Sequence, residues 1–421
     1  MKRAKLNDYY SLYIVASLVL LAGCSSSVNK NSNQMKNNTI KGKYGYDAAF
    51  FSEHKIKTIE LKSGDSKACI LLVPGYQGRV MTSSVEGNDG VSFGWINYKF
   101  IESGKVSTQF NPFGGEERIW LGPEGGPFSI YFKKDAGQTF SNWVVPKEID
   151  TEPFEIIAQT HDRVSFSRNF ELTNAAGTKL NIGIERTVKL LSAKETEQAL
   201  GIQIDKSLSY VAYESENILI NRGQVAWTEQ SGALSIWMLA MFNPSPKGVV
   251  FIPYKQGSES DTGKIANDDY FGKVPADRLI VKDGILFFKT DGKFRSKIGL
   301  SPQRALQYCG SYDPGKQILT LLWYAAPETP SRYVNSKWGA QSDPFSGDVV
   351  NSYNDGPVED GSIMGPFYEI ESSSPAAMLP SGGSITHKQR IFHITGSEEQ
   401  LSLITEKLFH HTLSEIEQAF N

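Results

Sequence analysis

The sequence predicts an all-β protein of large antiparallel sheets, and three observations carry that expectation. From Lys55 onward, apolar and polar residues alternate over short runs, which is the period of a strand with one buried face. Gly, Asn, Asp and Pro punctuate those runs, as turns between strands require. Helical periodicity is sparse, with one short candidate near Tyr44 and another at the C-terminus.

Tyr44 to His54 is the first candidate helix, with Asp47 near its start. Ala68 to Val73 is a short apolar run that fits a buried strand. Phe166 to Leu172 alternates, and so does Lys179 to Leu190, where Leu180, Ile182, Ile184, Val188 and Leu190 share one face. Asn174-Ala175-Ala176-Gly177 lies between them, so the two runs are predicted to form a hairpin. Val249 to Ile252, Ile285 to Phe288, Ile318 to Tyr324 and Ile391 to Ile394 are further candidate core strands. Ser397-Glu398-Glu399-Gln400 is a capping box ahead of Leu401, Ile404, Leu408 and Ile416, which form one apolar stripe. That terminal helix is expected to lie across a sheet edge or face.

The 421 residues carry 43 basic and 46 acidic side chains, with 40% apolar and 11% aromatic residues. This composition can fill a large core, and it supplies no basic field for unspecific nucleic-acid binding. Cys24, Cys69 and Cys309 are too scattered for a zinc knuckle or a disulfide framework. Lys2, Arg3 and Lys5 precede an apolar stretch, Leu12 to Leu21, that is short for a membrane span and is followed by small residues. This order reads as a secretion signal. Leu21-Ala22-Gly23-Cys24 resembles the lipobox of bacterial lipoproteins, which implies a signal peptide over 1–23 and a lipid on Cys24. Removing 1–23 leaves 40 basic and 45 acidic side chains, a formal charge of −5. Residues 24–40 are rich in Ser and Asn and read as a tether, and 41–421 reads as a single β domain with no repeat or linker. The expected location is the bacterial cell envelope, anchored by lipid at Cys24 in the outer membrane and facing the periplasm.

Three stretches concentrate groups suited to chemistry. Asn111 to Gly126 holds Glu116, Glu117, Arg118 and Trp120 among glycines and prolines, which suits a loop that presents polar groups into a cleft. Carboxylates, guanidinium and an indole are the mixture that recognises sugars, through hydroxyls and C–H faces respectively. The plainer alternative is a sheet corner in which Arg118 pairs with Glu116 or Glu117 and Trp120 is core. Gly347 to Gly356 contains Asn351, Tyr353 and Asp355 and reads either as a solvated turn or as part of a site. Its oxygen donors are compatible with a calcium ion, but the spacing is not that of a calcium loop, so no cofactor or metal is expected. On the strand Phe367 to Glu371, Glu369 and Glu371 share one face, which is reasonable in a cleft and expensive in a core.

Gly78 to Ser83, Ser92 to Asn97, Phe113 to Gly126, Gly347 to Gly356 and Tyr368 to Pro375 together resemble a family of uncharacterised bacterial lipoproteins. An early Gly-Arg strand, an acid-Arg-Ile motif and a late Glu strand leading to Leu379-Pro380-Ser381-Gly382 are more distantly similar to the galactose-mutarotase-like superfamily. That similarity implies a β-supersandwich with a sugar site on its concave face. It also implies a glutamate base, carried by Glu369 or Glu371, and a sugar-binding arginine, carried by Arg118. The family's acid is a histidine, and no histidine motif of that kind is present; His387 is the nearest candidate.

The reading that follows is a lipid-anchored envelope protein that contacts carbohydrate through Glu117, Arg118, Trp120, Asn351, Tyr353 and Asp355, with Glu369 and Glu371 as catalytic carboxylates if a bond is processed. The alternative is a non-enzymatic scaffold or glycan-binding component of an envelope complex. A Ser/His/Asp hydrolase is disfavoured because no G-x-S-x-G elbow occurs.

Overall fold

The computed structural model describes residues 40–358 and 360–420. The expected signal peptide, the tether up to residue 39 and the lipidation position Cys24 lie outside the described residues. Among those described there are eighteen strands, all paired antiparallel, in three sheets. β1 (Ile59–Lys62), β2 (Cys69–Val73) and β3 (Arg79–Ser84) make the smallest sheet. β4 (Arg118–Gly122) belongs to a five-stranded sheet, and β5 (Glu155–Gln159), β6 (Arg163–Thr173), β7 (Lys179–Leu190) and β8 (Ser209–Asn221) form one half of a ten-stranded sheet. β9 (Ser235–Phe242) joins β4, whereas β10 (Val249–Pro253), β11 (Leu279–Lys282) and β12 (Ile285–Lys289) extend the large sheet. β13 (Ser296–Leu300) returns to the five-stranded sheet, β14 (Tyr308–Asp313) and β15 (Ile318–Tyr324) to the ten-stranded one. β16 (Val350–Asn354) and β17 (Tyr368–Ser373) complete the order β13-β16-β17-β9-β4, and β18 (Ser384–Thr395) sits between β15 and β8. Large antiparallel sheets with few helices are what the sequence predicts, and the hairpin β6/β7 pairs Thr173 with Lys179 around the expected turn.

The five-stranded and ten-stranded sheets face one another across one layer of side chains. Ile119, Met238, Ala240, Ile298, Val350 and Ile370 from the former meet Val164, Ile184, Tyr213, Leu219, Leu322 and Ile391 from the latter. Because strand periodicity is two, the same five strands must present their intervening residues on the opposite face. The large sheet has its own outer layer. There Phe251, Leu319, Phe392 and Ile394 carry the helix Glu398–Phe409 through Leu401 and Ile404.

The terminal helix differs from its expected single stripe. His410 adopts φ 60° and ends it, and a second helix, Leu413–Glu417, brings Ile416 back to the sheet. The helix Ala193–Leu200, capped by the Ser192/Glu195 box, is absent from the sequence reading because its eight residues hold too few apolar positions to show a period.

Between the sheets runs a belt of polar side chains. The Arg186 guanidinium donates to Glu117 Oε1 at 2.7 Å and to Asn217 Oδ1 at 2.8 Å. Glu117 Oε2 accepts from Gln389 Nε2 at 2.9 Å and from Ser215 at 3.0 Å. Both members of the ion pair are fully buried, so each depends on the other to offset desolvation. Glu117→Leu is expected to leave Arg186 buried without its counter-ion and to lose about 3–5 kcal/mol in urea unfolding. Glu117→Leu with Arg186→Met should recover most of that loss; equal destabilisation by both variants would refute the pairing argument.

Candidate functional site

The outer face of the five-stranded sheet brings together residues far apart in the chain. Strand register sets Arg118 against Leu239, Leu239 against Glu371, and Glu371 against Asn351, which opposes Gly299. One step along, Met241 faces Glu369, Glu369 faces Tyr353, and Tyr353 faces Lys297. Trp120 and Trp237 are directly opposed on the same face. The stretch around Arg118 is therefore a fully buried strand and not the expected glycine-rich loop, and Asn351 and Tyr353 lie on a strand and not in a turn. The physical reason is common to both. Strand pairing satisfies the backbone groups of both segments, and their polar side chains stand on the outer face of the sheet, buried at Arg118 and lining a cleft at Asn351 and Tyr353.

Two cation–carboxylate pairs organise the face. Arg118 Nη2 donates to Glu369 Oε1 at 3.2 Å while its guanidinium lies 4.1 Å from the Trp120 ring centre. Lys297 Nζ donates to Glu371 Oε2 at 2.9 Å, and Trp237 Nε1 donates to the same oxygen at 2.8 Å. Burial raises Glu369 to about 7; the Arg118 charge opposes that shift and the Glu371 charge adds to it. Burial alone would lower Lys297, but the negative charges of Glu371 and Glu124 outweigh it and hold the ammonium above its usual range. Glu124 is itself raised, by burial first and by Glu371 in addition.

A cleft of about 1130 Å³ opens over these pairs. Trp237, Lys297, Asn351 and Tyr353 form its floor, Glu124, Tyr270, Asp348 and Asp355 its polar sides, and Phe271, Phe294 and Trp338 its aromatic walls. Tyr270 donates to Asp348 Oδ2 at 2.5 Å, with Asn267 Nδ2 2.8 Å from Oδ1 of the same carboxylate. Asp355 accepts from Tyr353 at 2.9 Å and from the Gly365 N–H at 2.7 Å. Burial raises both aspartates above their ordinary range. Gly299 is required here, since a Cβ would lie 2.1 Å from Asp348 Oδ2 and 2.5 Å from Asn351 Nδ2. Among the described residues, no group of three or more His, Cys, Asp or Glu is placed to hold a metal ion.

The six predicted residues Arg118, Trp120, Asn351, Tyr353, Glu369 and Glu371 thus share one face, and Asp355 follows directly on it. They lie at two depths. Asn351, Tyr353 and Asp355 line the cleft, while Arg118, Trp120, Glu369 and Glu371 are buried and do not: Glu371 lies under Lys297 and Trp237, and Arg118 and Trp120 pack against Phe110, with Tyr131 and Trp143 also on Trp120. Glu117 is a correction. It precedes Arg118, so its side chain leaves on the other side of the strand and is consumed by Arg186 between the sheets. His387 is likewise remote. It bonds Ser372 at 2.8 Å in the inter-sheet layer, and burial lowers it to about 3. Lys297, Trp237, Tyr270 and Arg295 escaped the sequence reading. Trp237 sits in the apolar run Ser235–Phe242 and reads as core, and a single lysine in a five-residue strand carries no pattern.

Residues 42–420 match the family of unknown function DUF6786. The chain belongs to that family. No curated protein matches it. Among solved structures it is similar to a protein of Synechocystis sp. PCC 6803, at 14% identity and TM-score 0.47, over 81% of this chain and 96% of that one. It is also similar to a galactose mutarotase-like protein of Lactobacillus casei ATCC 334, at 9% identity and TM-score 0.45, over 80% and 100% of the two chains. A putative aldose 1-epimerase of Escherichia coli K12 matches at 8% identity and TM-score 0.45, over 81% and 99%.

The raised Glu369 makes stability depend on pH in a defined direction. Its folded value of about 7 exceeds the ordinary 4.5, so the folded state holds a proton that the unfolded state has released between these values. That contribution is fully present below pH 4.5 and is lost as pH rises through about 7. Urea midpoints measured across this window should fall less steeply with pH in Glu369→Gln than in the wild type; parallel slopes would count against a protonated Glu369.

Proposed function

We propose that the outer face of the five-stranded sheet binds a saccharide. The observation that carries this reading is the lining of the cleft, where Asn351, Tyr353, Asp348 and Asp355 stand among Trp237, Phe271, Phe294 and Trp338. Amide, hydroxyl and carboxylate groups together offer both donors and acceptors, and a sugar hydroxyl both donates and accepts, so a polyhydroxylated ring answers this lining. The indoles and phenyl rings along the cleft supply apolar faces for its C–H surfaces.

Glu369 and Glu371, the carboxylates the sequence points to for catalysis, lie below the lining, so any acid–base step at a sugar in the cleft falls to the carboxylates that line it, Glu124, Asp348 and Asp355. The order of basic residues, apolar run and Leu21-Ala22-Gly23-Cys24 supports lipid anchoring at Cys24 in the bacterial cell envelope.

Thermal-shift and calorimetric titration against mono- and oligosaccharides, neutral and acidic, tests the binding reading. At least one saccharide should raise the unfolding temperature, and Asp355→Asn should weaken that ligand by about 1.5–3 kcal/mol, the worth of a hydrogen bond to a charged group. Binding that is unchanged in Asp355→Asn would remove this cleft from the site.

A further inference from the structure

We infer that the cleft is built for an acidic oligosaccharide whose carboxylate or sulfate lies against Arg295 and Lys293. This rests on the saccharide reading and adds to it a charge and a length. Length follows from size. About 1130 Å³ exceeds the upper end, about 1,000 Å³, of pockets that enclose a drug-sized ligand, and a single sugar ring is smaller still. Phe140 and Phe294, which are 63% and 42% exposed, continue the aromatic surface onto the lip, where further rings can stack.

Charge follows from which cations are satisfied. Lys297 is paired with Glu371, and Lys337 reaches Asp269 at 3.4 Å. Arg295 and Lys293 also line the cleft, and neither makes an ion pair among the described residues. The nearby carboxylates have hydrogen-bond partners of their own or stand apart: Asp355 is bonded by Tyr353 and Gly365, Asp291 by Arg278, and the Arg295 charge acts on Asp355 and Glu124 without forming an ion pair with either. Asp360 on the lip accepts from the Ser362 N–H.

Arg295 is also seated rather than free. Its guanidinium stacks 3.8 Å from the Phe271 ring centre, and its Nε donates to the neutral Tyr353 hydroxyl at 3.3 Å. Its two terminal nitrogens are left to present a planar fork, the geometry that grips a carboxylate or sulfate through two parallel hydrogen bonds. A cation held in place by stacking, beside acids that are already bonded, is a donor set that awaits an anion brought by the ligand.

The test is isothermal titration of the folded protein with tetragalacturonate, tetramannuronate and a chondroitin sulfate tetrasaccharide. Fully methyl-esterified tetragalacturonate, maltotetraose and cellotetraose serve as neutral counterparts, and galacturonic acid as the single ring. At least one acidic tetrasaccharide should bind about tenfold or more tighter than every neutral one and than the single ring. Raising salt to about 0.5 M should erode the preference, as screening requires. Lys293→Gln, at an exposed position, should weaken the acidic ligand several-fold and neutral ones little, and Arg295→Gln should weaken the acidic ligand several-fold more than neutral ones, while Arg295→Lys should fall between. The uronate and sulfate arms report which acid group the fork takes. Neutral and acidic ligands bound equally, or an acidic preference that survives in both variants, would overturn this inference and leave the saccharide reading standing. Binding by none of the sugars would remove both.

Discussion

Glu369 and Glu371 stand two residues apart on one strand, so strand geometry obliges both acids to emerge on the same face and close together. Two buried negative charges at that spacing repel, and neither is tolerable without an answering cation. β4 brings Arg118 to one and β13 brings Lys297 to the other, from opposite edges of the sheet. The strand order β13-β16-β17-β9-β4 is thus the arrangement that lets two cations close on one strand from either side. The indoles of Trp120 and Trp237 complete these pairs, the first by stacking on Arg118 and the second by donating to Glu371.

The same sheet has to serve two solvents. Its inner face meets the large sheet with Ile119, Met238, Ile298 and Ile370, and its outer face carries acids, amides and indoles. Rigid packing on one side holds the polar groups of the other at fixed separations. That is how the polar groups lining the cleft keep their separations without collapsing onto one another. The belt around Arg186 and Glu117 has the opposite character. Most of its polar atoms are answered internally, so it adds specificity to the sheet contact and offers nothing to a ligand.

Strands with one buried face were legible where alternation ran long enough, as in the β6/β7 hairpin; β15 was legible as a continuous apolar run buried on both faces, and so was the shared face of Glu369 and Glu371. The chemistry around them was legible only in part. Arg118 and Trp120 are two apart and so belong together, yet Glu117, adjacent and equally acidic, is turned away by the same alternation. Once Arg118 to Gly122 is known to be a strand, that exclusion is immediate; read as a glycine-rich loop, the segment leaves all three residues available. Trp237, Lys297 and Arg295 were beyond reach, since nothing local separates an indole in an apolar run from a core side chain, or a cleft lysine from a surface one.

Taken alone, the sequence determined the all-β class, the composition of the core and the pairing of two acids on one face, because these depend on the two-residue period of a strand and on local turn chemistry. Which cation meets which acid, which side of the five-stranded sheet is wet, and where the Arg295 guanidinium stands beside aromatic rings were decided by the tertiary structure. Those outcomes depend on strand order and register between segments as far apart as Arg118 and Glu369. No local pattern encodes that register; it is set when the inner faces of two sheets find their packing.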